Sequence, residues 1–247
     1  MKQTELIMGM PITIEVLGTG TKIAIKKVYD YFRQVDNRYS PYKDDSELTQ
    51  INNGLKKSHW SQEMNSVLEL CEQTKQQTDG YFDISLDNRI DPSGLVKGWA
   101  INNSAKLLKE MGFTNFYIEA GGDIQVEGFN EAGESWLVGI RNPFKIDEIV
   151  KTISISNLGV ATSGTYLRGE HIYNPRNKHQ SPKGIKSLTV IGPNIFEADR
   201  FATAAFAMGE QGIMFIDALP GFEAYMINQN KIATYTKGFE KYVAEAN

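Results

Sequence analysis

The chain has 247 residues, 41% of them hydrophobic and 23% charged, a composition that excludes disordered, fibrous and disulfide-stapled classes. Folding at this length buries roughly 70 to 75% of the unfolded surface, enough for a core without metal or disulfide, so a bound metal would be functional. The 26 Lys and Arg stand against 30 Asp and Glu, a net charge of -4 with no basic run, and this removes the electrostatic footprint of a nucleic-acid binder.

Met1 to Gly18 opens on Lys2-Gln3-Thr4-Glu5 and lacks the apolar stretch and cleavage site of a signal peptide. No later run reaches the roughly 20 apolar residues of a membrane span, so a soluble cytoplasmic protein is expected. Alternation around Pro11 predicts a strand over Leu6 to Leu17, and Ile25, Val28, Tyr29, Phe32 and Val35 mark the buried face of a helix over Thr21 to Val35. After a polar loop, Ser40 to Asp45, helices are expected over Ser46 to Asn52 and from Ser61 to near Gly80. The second carries Met64, Val67, Leu68, Leu70 and the only cysteine, Cys71, which reads as a buried structural thiol compatible with a reducing compartment. A further helix fits Gly94 to Met111, burying Leu95, Trp99, Leu107, Leu108 and Met111, with Gly112 as its C-terminal cap. The pattern then turns to short strands: Phe116 to Glu119, Ile124 to Glu127, Trp136 to Ile140, Ile149 to Ile155, Gly159 to Ala161 and Arg168 to Tyr173. A strand over Ser187 to Ile191 leads to a helix over Glu197 to Met208, then to a short helix and strands over Glu223 to Ile227 and Ile232 to Tyr235. The order describes an α+β fold with a largely antiparallel sheet, in one unit over residues 1 to 247.

Four segments can carry chemistry. Asp199 and Thr203 lie four apart on a helix and so face one side, a carboxylate and a hydroxyl that suit the octahedral oxygen shell of Mg2+. The same pair also reads as an acid favoured by the helix dipole and a Thr bonded to its own helix. Asp91-Pro92-Ser93-Gly94-Leu95-Val96-Lys97-Gly98 opens a helix through a small-residue turn, presenting free N–H groups to a phosphate with Lys97 one turn in; alternatively Gly94 serves the turn and Lys97 is a solvated surface residue. Ala161-Thr162-Ser163-Gly164 precedes His171-Ile172-Tyr173-Asn174-Pro175, where His171 is either a general base or a packed strand residue. Gly121-Gly122-Asp123 marks a tight turn where backbone can approach a ligand, or a plain hairpin.

In this order, and together with Met8-Gly9-Met10, Ser40-Pro41-Tyr42, Asp45-Ser46-Glu47-Leu48, Asn52, Gly80-Tyr81-Phe82-Asp83 and Ala198 to Gly209, these segments resemble the ApbE family, the FAD:protein FMN transferases. The resemblance implies an ApbE-type α+β fold with FAD between two intimate halves, contacted at Met8, Tyr42, Tyr81, Phe82, Asp83, Asp91, Lys97 and Tyr173. It implies Mg2+ held by the Asp199 and Thr203 side chains and the Gly94 carbonyl, and His171 as the base that takes the proton of a threonine hydroxyl on an acceptor flavoprotein. That hydroxyl attacks the FMN phosphorus of FAD and AMP departs. The same site with water as nucleophile would be an FAD pyrophosphatase, and without turnover a flavin carrier.

The chain departs from the family pattern in three ways. Asn174 stands where Asp is usual, replacing a carboxylate by a neutral amide. Seven residues separate Asp83 from Asp91, fewer than the family generally carries, and the stretch from Gly164 to His171 is also short. The lipid-modified cysteine of exported relatives is missing, which points to a cytoplasmic acceptor.

Overall fold

The structure, a computed structural model, describes residues 1–86, 88–165, 173–177 and 180–244. In chain order come strands β1 (Lys2–Ile7) and β2 (Met10–Val16), then helices α1 (Thr21–Tyr39), α2 (Glu47–Asn52) and α3 (Gln62–Gln77). A small hairpin of β3 (Ser85–Leu86) and β4 (Arg89–Ile90) precedes α4 (Ser93–Glu110). Strands β5 (Phe116–Ala120), β6 (Asp123–Glu127), β7 (Trp136–Asn142), β8 (Lys145–Ile155), β9 (Gly159–Gly164) and β10 (Ile185–Gly192) follow. Helices α5 (Ile195–Ala207) and α6 (Gly212–Asp217) and strands β11 (Glu223–Asn228) and β12 (Ala233–Tyr235) complete the order.

Among the described residues eight strands make one antiparallel sheet in the order β1-β2-β5-β6-β9-β10-β11-β12. Because successive strand residues face opposite sides, the sheet feeds two cores. Phe116 and Ile118 of β5 and Leu188 and Val190 of β10 pack with the helices, against residues such as Phe32, Leu95, Ile101 and Phe206. On the other face Val126, Val160, Ile191 and Ile227 meet a separate antiparallel ribbon, β7 with β8, through Trp136, Val138 and Ile153. The sequence reading of an α+β molecule with a largely antiparallel sheet thus holds. Among the described residues no helix is long and apolar enough to cross a membrane.

Several boundaries differ, each for a local reason. The single strand expected over Leu6 to Leu17 is a hairpin that turns at Met8 and Gly9, both in the left-handed region (φ 55 and 70); apolar alternation continues across a two-residue turn, so the pattern alone does not mark it. Helix α1 runs on to Tyr39, whose side chain is buried. Helix α5 begins two residues before Glu197, because Asn194 caps it by accepting from the Glu197 N–H (3.0 Å). On α4, Trp99, Leu107 and Met111 are half-buried, while Val96, Ala100 and Ile101 take the interior. The β3–β4 hairpin has no counterpart in the sequence reading, and the strand expected over Arg168 to Tyr173 lies outside the described residues except for Tyr173, which belongs to no strand. Cys71 is buried, as expected.

Candidate active site

The site grows from the crossing of α4 and α5. Gly98 makes the crossing close: a Cβ there would stand 2.6 Å from Asp199 Cβ and 3.0 Å from the Ile195 carbonyl. With no side chain in the way, the Gly98 N–H donates to Asp199 Oδ2 (2.8 Å). The start of α5 is pinned to the sheet from below. Buried Gln125 on β6 accepts from the Ile195 N–H (2.8 Å) and donates to the carbonyls of Val126 (2.9 Å) and Leu158 (3.2 Å). At Gly159 on β9 a Cβ would lie 2.1 Å from Ile195 N, so the helix start rests directly on the strand.

Three charged groups meet at this crossing. Lys97 Nζ lies 2.5 Å from Asp123 Oδ2 and 3.7 Å from Asp199 Oδ1, and both carboxylates are buried (1% and 3% exposed). Asp123 Oδ1 accepts from the Thr162 N–H (3.0 Å), whereas among the described residues Oδ2 has no aligned hydrogen-bond donor and meets the ammonium as a charge contact. Loss of water pushes the Asp199 carboxyl well above the usual carboxylate range; Lys97 opposes this and the neighbouring Asp123 adds to it. Among the described residues one ammonium faces two buried acids and cannot balance both as carboxylates, so the cluster suits either a retained proton or a further cation in its place.

One helical turn beyond Asp199, the Thr203 hydroxyl faces the Gly94 carbonyl at 3.4 Å, long for an O–H···O bond. Gly94 sits between Thr203 and Phe82, where an added Cβ would be 3.4 and 3.5 Å from their side chains. Carboxylate, hydroxyl and carbonyl are hard oxygen donors, and this donor set fits Mg2+, which completes its shell with waters or substrate phosphates.

The other residues named by the sequence fall around this centre. Phe82 is buried (3% exposed) and its ring backs Gly94, so its part is to support the wall rather than to present a ring face. Asp83 pairs with Lys75 (2.7 Å) and accepts from the Ser85 N–H (2.9 Å); burial works against its charge, but these partners hold it below the usual carboxylate range. Tyr173 donates to the Ser85 carbonyl (3.4 Å). Tyr81 lies under the Arg176 guanidinium (5.0 Å to the ring centre), which also pairs with Asp79. Tyr81 lines a hollow of about 420 Å³ with Met208, Gln211 and Met214. Asp91 accepts from the Ser93 N–H (2.9 Å) at the mouth of α4, and Asn52 fixes the preceding Ile90 backbone from both sides. Met8 sits at the tip of the β1–β2 hairpin; the neighbouring Pro11 carbonyl accepts from the Gly121 N–H (3.2 Å), so this hairpin adjoins the turn leading to Asp123. Tyr42 projects into solvent (93% exposed) from the loop after α1. Asn174 Oδ1 accepts from the Arg176 N–H (2.9 Å), which gives the amide a turn-forming role. His171 lies outside the described residues.

The structure therefore unites Gly94, Lys97, Asp199 and Thr203, and adds Asp123 and Gly98, which sequence reasoning missed as site residues. Asp123 follows a Gly-Gly turn that reads equally as plain hairpin chemistry, and Lys97 is a paired group rather than a solvated one.

A family model described as the ApbE family matches residues 8–88 and 85–226. Relatives named FAD:protein FMN transferase include one from Haemophilus influenzae, 27% identical over 158 residues that make up 60% of this chain and 46% of the relative. Another, from Vibrio cholerae, is 29% identical over 64% of this chain and 48% of its own length. The chain spans about half the length of these relatives. In three dimensions it superposes on the flavin transferase ApbE from Vibrio cholerae with a TM-score of 0.86 at 21% identity, covering 98% of both chains. It superposes on an ApbE protein from Thermotoga maritima with a TM-score of 0.87 at 18% identity, covering 99% of both. The sheet, the helical layer and the ordered motifs converge on one assignment: the chain belongs to the ApbE family.

Proposed function

We propose that the protein transfers FMN from FAD to a threonine hydroxyl of an acceptor flavoprotein and releases AMP. The observation that carries this reading is the buried Lys97, Asp123 and Asp199 cluster beside the Thr203 hydroxyl and the Gly94 carbonyl. The start of α4 offers N–H groups and Lys97 offers positive charge to the FAD diphosphate. Asp199, Thr203 and the Gly94 carbonyl hold Mg2+, which when bound offsets the negative charge that builds at the reacting phosphate. Tyr81 and Tyr173 offer aromatic surface to the flavin, and Met8 an apolar contact. His171 is assigned the acceptor proton by the family resemblance. As the threonine oxygen bonds to the FMN phosphorus, the bond from that phosphorus to the AMP oxygen breaks, and FMN remains as a phosphoester.

Incubation of the protein with FAD, Mg2+ and flavoproteins of the same cell, followed by intact-mass measurement, tests the reading. An acceptor heavier by one FMN is expected. Free FMN and AMP with no modified acceptor would replace transfer by hydrolysis, and tightly bound yellow FAD without turnover would make the protein a carrier. Asp199→Asn should abolish turnover, since a neutral amide is a poor substitute for a carboxylate on Mg2+; full activity in that variant would remove the metal assignment.

A further inference from the structure

Resting on the assignment of Asp199 as a cation ligand, we propose that Asp123 is a positioning residue that draws Lys97 away from Asp199 and so keeps the Asp199 carboxylate open to the divalent cation. Two carboxylates compete for one ammonium, and the distances record the outcome: 2.5 Å to Asp123 Oδ2 and 3.7 Å to Asp199 Oδ1. Both acids are fixed in place. Asp123 opens β6, is 1% exposed and accepts the Thr162 N–H through Oδ1, which ties it to β9. Asp199 accepts the Gly98 N–H through Oδ2, which leaves Oδ1 as the oxygen turned toward Lys97. The mobile partner is the lysine, whose four-carbon stem lets the ammonium swing between them. Without the charge of Asp123 the pull on the ammonium is gone, Lys97 closes the gap to Asp199, and an internal ion pair takes the oxygen that the cation needs. Held on Asp123, the ammonium stays beside the centre as positive charge for a diphosphate without blocking the ligand.

Mn2+ affinity of the full chain, measured by electron paramagnetic resonance with and without FAD, tests this independently of turnover. Asp123→Asn keeps an acceptor for the Thr162 N–H while removing the charge, and should weaken Mn2+ by about tenfold or more, the usual scale for an outer-shell partner. Adding Lys97→Met to that variant should restore Mn2+ binding, because the competing cation is removed. Wild-type affinity in Asp123→Asn overturns the proposal, as does a double variant no tighter than the single one, since Asp123 would then act on the metal or the fold directly. If Asp123→Asn fails to fold, Lys97→Met and the double variant decide: the two should bind Mn2+ within about twofold of each other, because Asp123 acts only through the ammonium, and a double variant about tenfold weaker than Lys97→Met overturns the proposal. Asp199→Asn separates the two layers of the argument. Loss of Mn2+ there alongside wild-type affinity in Asp123→Asn overturns only the role of Asp123, whereas retained affinity in Asp199→Asn overturns the cation assignment and this proposal with it.

Discussion

Met8 holds a left-handed backbone (φ 55) beside Gly9 at the hairpin tip, a conformation that costs a side chain with a Cβ about 1 kcal/mol or more. Asn tolerates the same turn better, so a methionine at this strained position is reason to test its side chain for a use. Met8→Asn should leave the melting temperature within a few degrees and lower FAD affinity; calorimetry that finds FAD binding unchanged would take Met8 out of the site. At Asp83 the partners that hold its pKa below the ordinary 3.8 make a stability contribution that is present above that value and lost as pH falls through the lower folded pKa. Asp83→Asn should therefore destabilise by at most about 1 kcal/mol at pH 7, with the difference from wild type shrinking in acid; melting curves separated equally at pH 7 and pH 3 would contradict this. Burial pushes the Cys71 thiol up to about 12, so a thiol reagent at pH 8 should react only as fast as the chain unfolds. At this scale the sequence discloses pairs joined by a local period, such as Asp199 with Thr203. Asp123 meets Lys97 only through the fold, and the burial of Phe82 behind Gly94 depends on packing that no local pattern encodes.

Helix placement is a matter of small residues at crossings. Ala is favoured over Gly in a helix by up to about 1 kcal/mol, yet at Gly98 the added methyl would meet Asp199 Cβ at 2.6 Å, and overpacking of this kind typically costs about 1 to 3 kcal/mol. Gly98→Ala should thus be destabilised in urea and should bind Mg2+ more weakly, because α5 must move away and carry Asp199 with it. A more stable variant would show that the helices have room to separate. Long amphipathic helices were legible because α1 and α3 repeat apolar residues at the helical period and α3 carries its own serine cap. The start of α5 was not, because its signal is Asn194 reaching the Glu197 N–H, ahead of the residues that carry the chemistry. The β3–β4 hairpin, two residues a side, is too short for alternation to register.

The whole molecule puts a core on each face of one sheet, with the candidate site on the helical face. Ile153, fully buried between the ribbon and the sheet, should cost about 2 to 5 kcal/mol when replaced by Ala, while FAD and Mg2+ affinities at low temperature stay as in wild type; a parallel loss of affinity would mean that the faces are coupled. The division into strand-rich and helix-rich stretches was readable from period and turn residues, but the pairing of β2 with β5, across the 99 residues 17–115 of helices, loops and the β3–β4 hairpin, was not. The sheet also ends in ways that bear on handling the protein at high concentration. Its first strand carries Lys2 and Glu5, and its last is only three residues long, so neither margin offers an incoming molecule a long flat ladder of unpaired backbone groups. Edge-to-edge association through the margins of the eight-stranded sheet is thereby disfavoured even though a net charge of -4 on 247 residues provides little mutual repulsion.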